Sequence, residues 1–125
     1  MNTTLLRILK NYLTIFLFVV FTIPIFSSCG GESDVIVSWD KNPQRAVNTE
    51  GGGYVLYLSR NEGFNVNSAE EIVVSYDSAS GTTPTSIHRT MSKGTWYVRM
   101  KAFGNPMGGA RVESPLSEEF RIEVR

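Results

Sequence analysis

The sequence has one cysteine, one histidine and no excess of charge of either sign. Each scarcity removes a class of function. Cys29 is the only thiol, so no disulfide can form within the chain and any fold rests on its apolar core. His88 is the only imidazole, so zinc sets of three or four His and Cys ligands cannot be assembled. A Ser-His-Asp arrangement would have to use His88, and no GxSxG elbow is present. The acidic pairs Glu70–Glu71 and Glu118–Glu119 are sequence neighbours. Adjacent strand residues point to opposite faces, so neither pair converges on one substrate. The stretch "DSASG" (77–81) offers too few oxygens for a calcium loop. Twelve basic residues balance twelve acidic ones, which leaves no electrostatic footprint for nucleic acid. The expectation is a non-enzymatic protein without metal or cofactor, in which His88 is an exposed or half-buried strand residue.

Long apolar runs are also lacking. The longest, "LTIFLFVVFTIPIF" (Leu13 to Phe26), has fourteen residues. As a helix it would reach about 21 Å, short of a hydrocarbon core of about 30 Å. It follows a short segment whose charges are Arg7 and Lys10, and it ends in the small residues Ser27 and Ser28. A positive start, a short apolar centre and small residues at the end are the marks of a secretory signal. Pro24 helps to break a helix before the cleavage point. All twelve acidic residues lie beyond Cys29, with ten basic ones, giving that part a formal charge of −2.

"Phe26-Ser27-Ser28-Cys29" resembles a bacterial lipobox, with Phe26 where leucine is commonest. The resemblance implies that the Cys29 thiol receives a diacylglyceryl group with palmitate-type chains and that the chain is cut before it. Two other readings stay open at this point: an ordinary signal-peptidase site with a spare thiol, and an uncleaved single-pass anchor. Buried methylenes each contribute about 0.8 kcal/mol, and two or more chains hold a protein to a bilayer far more firmly than one. "GGES" then reads as a polar tether. Gly30 is not the aspartate that retains some lipoproteins in the inner membrane, so the analogy favours the outer membrane of a bacterial envelope.

Beyond Cys29 no helical period persists, and short alternating runs alternate with turn-rich stretches. Six strands are expected: "VIVSW" (35–39), "YVLYLS" (54–59), "EIVVSY" (71–76), "TSIHRTM" (85–91), "TWYVRMKAF" (95–103) and "EFRIEV" (119–124). Val35, Val37 and Trp39 share one face, as do Tyr54, Leu56 and Leu58, and Trp96, Val98, Met100 and Ala102. Strands with one apolar face each pack as two sheets.

"VIVSWD" (35–40), "GYVLYLS" (53–59), "KGTWYVRMKAFG" (93–104) and "ESPLSEEFRIEV" (113–124) together resemble a fibronectin type III domain. The implied fold is all-β, an immunoglobulin-like sandwich over residues 35–125, preceded by a leader (1–28) and a tether (29–34). Two departures stand out. Trp96 occupies the place of the family's corner tyrosine, and an indole nitrogen only donates. The strand A that should precede Val35 is missing or vestigial, which leaves the edge of strand B bare.

Two surfaces are candidates for recognition. Tyr57, Tyr97 and Arg99, beside Val55 and Lys101, are expected on the outward face of one sheet, an aromatic-plus-Arg composition that interfaces favour. Arg45, Met107 and Arg111 lie in loops that the resemblance places at the end away from the tether. The expected role is a protein-binding or structural module held to a membrane through Cys29, with an envelope or host protein or a glycan as partner. The competing role is an accessory carbohydrate-binding module that stacks sugars on Tyr57 and Tyr97.

Overall fold

The computed structural model describes residues 18–22 and 31–125, and for 18–22 the backbone alone. Cys29, the lipobox residues before it, Arg7, Lys10 and Pro24 lie outside the described residues.

All six expected strands are present. They are β2 (Glu32–Trp39), β3 (Gly53–Ser59), β4 (Glu70–Ser75), β5 (Ser86–Ser92), β6 (Gly94–Gly104) and β8 (Phe120–Val124). Two further strands are β1 (Phe18–Thr22) and the two-residue β7 (Val112–Glu113). One sheet has the order β1-β2-β5. The other has the order β4-β3-β6, with β7 and β8 both pairing β6. The two sheets pack as a sandwich. Its core holds Val35, Val37, Trp39, Tyr54, Leu56, Leu58, Val98, Met100, Ala102, Ile122 and Val124, all buried. The alternation in the sequence therefore fixes the inner face of each strand, because a one-residue slip would turn every one of these side chains outward.

The bare edge expected for β2 is not bare in the whole chain. Residues 18–22, read from the sequence as leader, run antiparallel along β2, with Phe18 opposite Trp39 and Thr22 opposite Val35. Composition explains the difference. "FVVFT" is made of β-branched and aromatic residues that fit a pleated surface, and an unpaired edge offers them backbone partners.

Trp96 anchors the start of its strand. Its indole Nε1–H donates to the carbonyl of Ser92 at 2.9 Å, tying the start of β6 back to the end of β5. The Arg60 guanidinium lies over the indole at 4.3 Å and donates to Ser92 Oγ and the Lys93 carbonyl. A donor-only ring thus makes a backward bond to a carbonyl, with a cation capping its outer face.

Chain direction separates the two ends of the sandwich. Glu32 opens β2 opposite Ser92, and Ser38 near its far end pairs with Ser86. Gly53 pairs both Ser75 and Phe103. Segments 40–52, 76–85 and 105–111 therefore gather at the end away from Glu32, as the strand order predicts.

Candidate functional site

The two surfaces singled out from the sequence have different fates. On β3 and β6, Tyr57 and Val55 do face away from the main core, but they are buried in a second cluster with Phe64 and Phe103. Val66, Ala69, Tyr97 and Leu116 pack against that cluster from its margins. Tyr57 is only 9% exposed. The expected open face is thus roofed by the 60–69 segment, which leaves little of the Tyr57 ring in contact with solvent. The basic residues belong to the same roof. Arg99 sits 5.6 Å from the Phe64 ring centroid and 3.6 Å from a Glu119 carboxylate oxygen. That carboxylate also accepts from the Gly63 amide at 2.8 Å. Lys101 lies 5.9 Å from the Tyr57 ring and 3.6 Å from Glu113. The sequence signal missed here is "GFNV" (63–66), whose Phe64 and Val66 need an apolar seat and find one on this face.

The loop end is open, and it is rigidly built. Val47, in the short helical turn Arg45–Asn48, is fully buried and closes the end of the core. Its carbonyl accepts from the buried Thr83 hydroxyl at 2.6 Å. Asn48 donates through Nδ2 to the carbonyls of Asn42 and Gln44. The buried Tyr54 hydroxyl accepts from the Asn42 amide at 2.8 Å, and its ring meets Trp39 edge-on at 5.3 Å. Burial raises the Tyr54 pKa above the ordinary 10.0, with the Asn42 bond opposing. Glycine at 52 and 104 lets this turn sit directly on the sheet. A Cβ at Gly104 would lie 2.5 Å from the Ala46 carbonyl oxygen, and one at Gly52 would lie 2.3 Å from it. "GGG" (51–53) is therefore close packing and not slack linker.

On this base the 40–52 and 105–111 segments face each other across an open cleft of about 650 Å³. Gln44, Arg45, Glu50, Asn105 and Met107 are among its walls. Met107 is 92% exposed and sits at φ 56°, ψ 28°, a left-handed conformation that costs a side-chain-bearing residue about 1 kcal/mol or more. Among the described residues it is the only one other than glycine with positive φ. The Asn105 side-chain oxygen is buried beside it and accepts no hydrogen bond among the described residues. The cleft thus offers an apolar tip, a cation, an anion and amide groups within one concavity.

The structure brings Arg45 and Met107 together at this cleft. Arg111 stands apart from it, stacked 3.8 Å from the Phe103 ring centroid and paired with Glu113 at 2.9 Å. Gln44, Glu50 and Asn105 were not singled out from the sequence, though "NP" at 42–43 and 105–106 marks both walls as turns. His88 is exposed on β5. Asp77 is used by its own turn: its carboxylate accepts from the Ala79 amide at 3.0 Å, and bonds from Ser80 and Ala79 hold its pKa below 3.8. No group of three or more metal-ligating side chains occurs among the described residues, and no described helix is long and apolar enough to cross a membrane. No family model, curated protein or solved structure matches the chain.

Proposed function

We propose that this chain is a non-enzymatic lipoprotein of a bacterial cell envelope that presents a fibronectin type III-like module for protein binding. Cys29 carries the lipid, residues 1–28 are removed, and the outer membrane is the favoured location. The pairing of β2 with β5 in one sheet, packed on a second antiparallel sheet of β4, β3, β6 and β8, supports the immunoglobulin-like assignment. The observation that carries the binding role is Met107. An apolar side chain at 92% exposure, held in a strained left-handed backbone on a loop end braced by buried Val47, Tyr54 and Thr83, is a preformed contact point on a rigid base. The tether leaves from the opposite end, so the cleft points away from the membrane. Carbohydrate stacking is the weaker reading, since its Tyr57 platform lies under the 60–69 segment.

Two measurements test this function. Intact-mass analysis of protein from the native membrane fraction is expected to show loss of residues 1–28 and an acylated Cys29. Cys29→Ala is expected to abolish acylation, and an unmodified sulfur in the wild-type protein would overturn the anchor. A photo-crosslinking residue at position 107 in intact cells is expected to capture a discrete protein, and one at His88 is not. Equal capture from both positions would overturn the loop end as the recognition surface.

A further inference from the structure

The outer edge of β2 is the second place where the molecule is unfinished, and the inference drawn from it rests on the reading that residues 1–28 are removed. In the whole chain that edge holds β1 over five paired positions, a length of about 17 Å. The hydrogen-bond pattern identifies the groups involved. The Trp39 amide donates to the Thr85 carbonyl at 2.9 Å, toward β5. Amides alternate in direction along a strand, so Val37 and Val35 also face β5, while Ile36 and Ser38 face β1. Their opposites on β1 are Phe21 and Val19.

Cleavage before Cys29 takes β1 away. The remaining chain cannot replace it from its own tether. Only Cys29, Gly30 and Gly31 precede Glu32, and a preceding segment that folds back to reach Val35 must come from as far upstream as Thr22. The other sheet guards its free edge with charge: on β4, Glu70 and Glu71 are exposed, and Glu70 pairs with Arg89. The centre of β2, Val35-Ile36-Val37, has no charge, proline or bulge.

We infer that the outer edge of β2 in the processed protein is a strand-acceptor site, whose occupant is an extended, uncharged β-branched or aromatic segment of another protein running antiparallel to Val35–Trp39. Main-chain bonds through Ile36 and Ser38 supply the affinity, as in other recognition by strand addition. The chemistry of the occupant is that of Phe18–Thr22, the segment the edge already accepts in this structure.

The test uses protein purified from membranes in detergent, with its N-terminus established by intact mass. The probe is a synthetic peptide of residues 18–22 flanked by lysines for solubility. Amide exchange at Ile36 is expected to be fast in the processed protein and to slow by about tenfold or more with the peptide. N-methylation of Val19 and Phe21, whose amides face β2, is expected to abolish that protection. N-methylation of Val20, whose amide faces away, is expected to preserve it. Equal behaviour of the two methylated peptides would overturn the site, and so would a concentration-dependent dimer that protects Ile36 without peptide. Loss of residues 1–28 with slow Ile36 exchange in a monomer would overturn the acceptor site alone. Retention of residues 1–28 with slow exchange would overturn both the acceptor site and the anchor.

Discussion

The outer face of β3 and β6 and the loop end of the sandwich carry the same kinds of residue, an arginine or two beside large apolar groups. They end up with opposite exposures. On the sheet face, Tyr57 and Phe103 are sealed by Phe64, and Arg99, Lys101 and Arg111 lie against rings and carboxylates. At the loop end, Met107 has no cover and the cleft beneath it stays open. Composition alone cannot separate the two, because an aromatic-plus-Arg patch is equally at home in an interface and under a short covering segment. What separates them is whether a nearby segment brings its own apolar residues. The 60–69 segment brings Phe64 and Val66, whereas the 105–111 segment brings a single methionine between Pro106 and Gly108.

The contrast can be broken first at Tyr57. If the sheet face is a second core, Tyr57→Ala should cost about 3 kcal/mol in chemical denaturation. A change within about 0.5 kcal/mol would mean an exposed, replaceable residue instead. Next in size is Gly104→Ala. Its new methyl would meet the Ala46 backbone oxygen, so a loss of about 2 kcal/mol is expected, together with weaker crosslinking from position 107 as the cleft wall shifts.

Tyr54→Phe should cost about 1–2 kcal/mol, because the buried Asn42 amide loses its acceptor. It also has a pH signature. The folded pKa of Tyr54 is raised, so its contribution is fully present below 10.0 and is lost as the pH rises past that value. The phenylalanine variant should lack this component of alkaline unfolding, which a pair of pH–stability curves would read.

Met107→Gly sharpens the contrast from the other side. Relief of the left-handed backbone should leave stability unchanged or raise it by up to about 1 kcal/mol. Partner capture through a crosslinker placed at Arg45 should fall. A variant that loses stability instead would assign Met107 to packing. The smallest effect is at Asp77. Its folded pKa lies below 3.8, so the 77–82 turn keeps its contribution above that pH and loses it as the pH falls further. An NMR titration of the carboxylate would read this directly.

Much of the architecture was legible because a strand's side chains alternate with a period of two. Val35-Val37-Trp39 and Trp96-Val98-Met100-Ala102 could be assigned to the core from spacing alone, and both runs are buried there or packed against it. The loop end was legible in part. Arg45 and Met107 were placed in loops by their Asn, Pro and Gly neighbours, and the strand directions brought those loops to one end. Arg111 was not separable from them, since nothing in "GGARVES" says that its guanidinium stacks on Phe103. Tyr57 was assigned to the right face, but its burial was not legible because its cover comes from residues outside any strand, where periodicity is silent. The β1 pairing was hidden for a related reason: a run that is apolar at nearly every position carries neither a strand nor a helix period.

The sequence by itself determined the class of fold and the inward face of its clearly alternating strands, and it limited the imidazole and thiol ligands to one of each. Those properties depend on residue type and on spacing within one segment. Only the tertiary structure decided which of two similar patches stays open and which edge accepts a strand. It also decided which glycines are spacers for a neighbouring carbonyl. Each of these depends on what a distant part of the chain places across a few ångströms, and distance along the chain does not encode that.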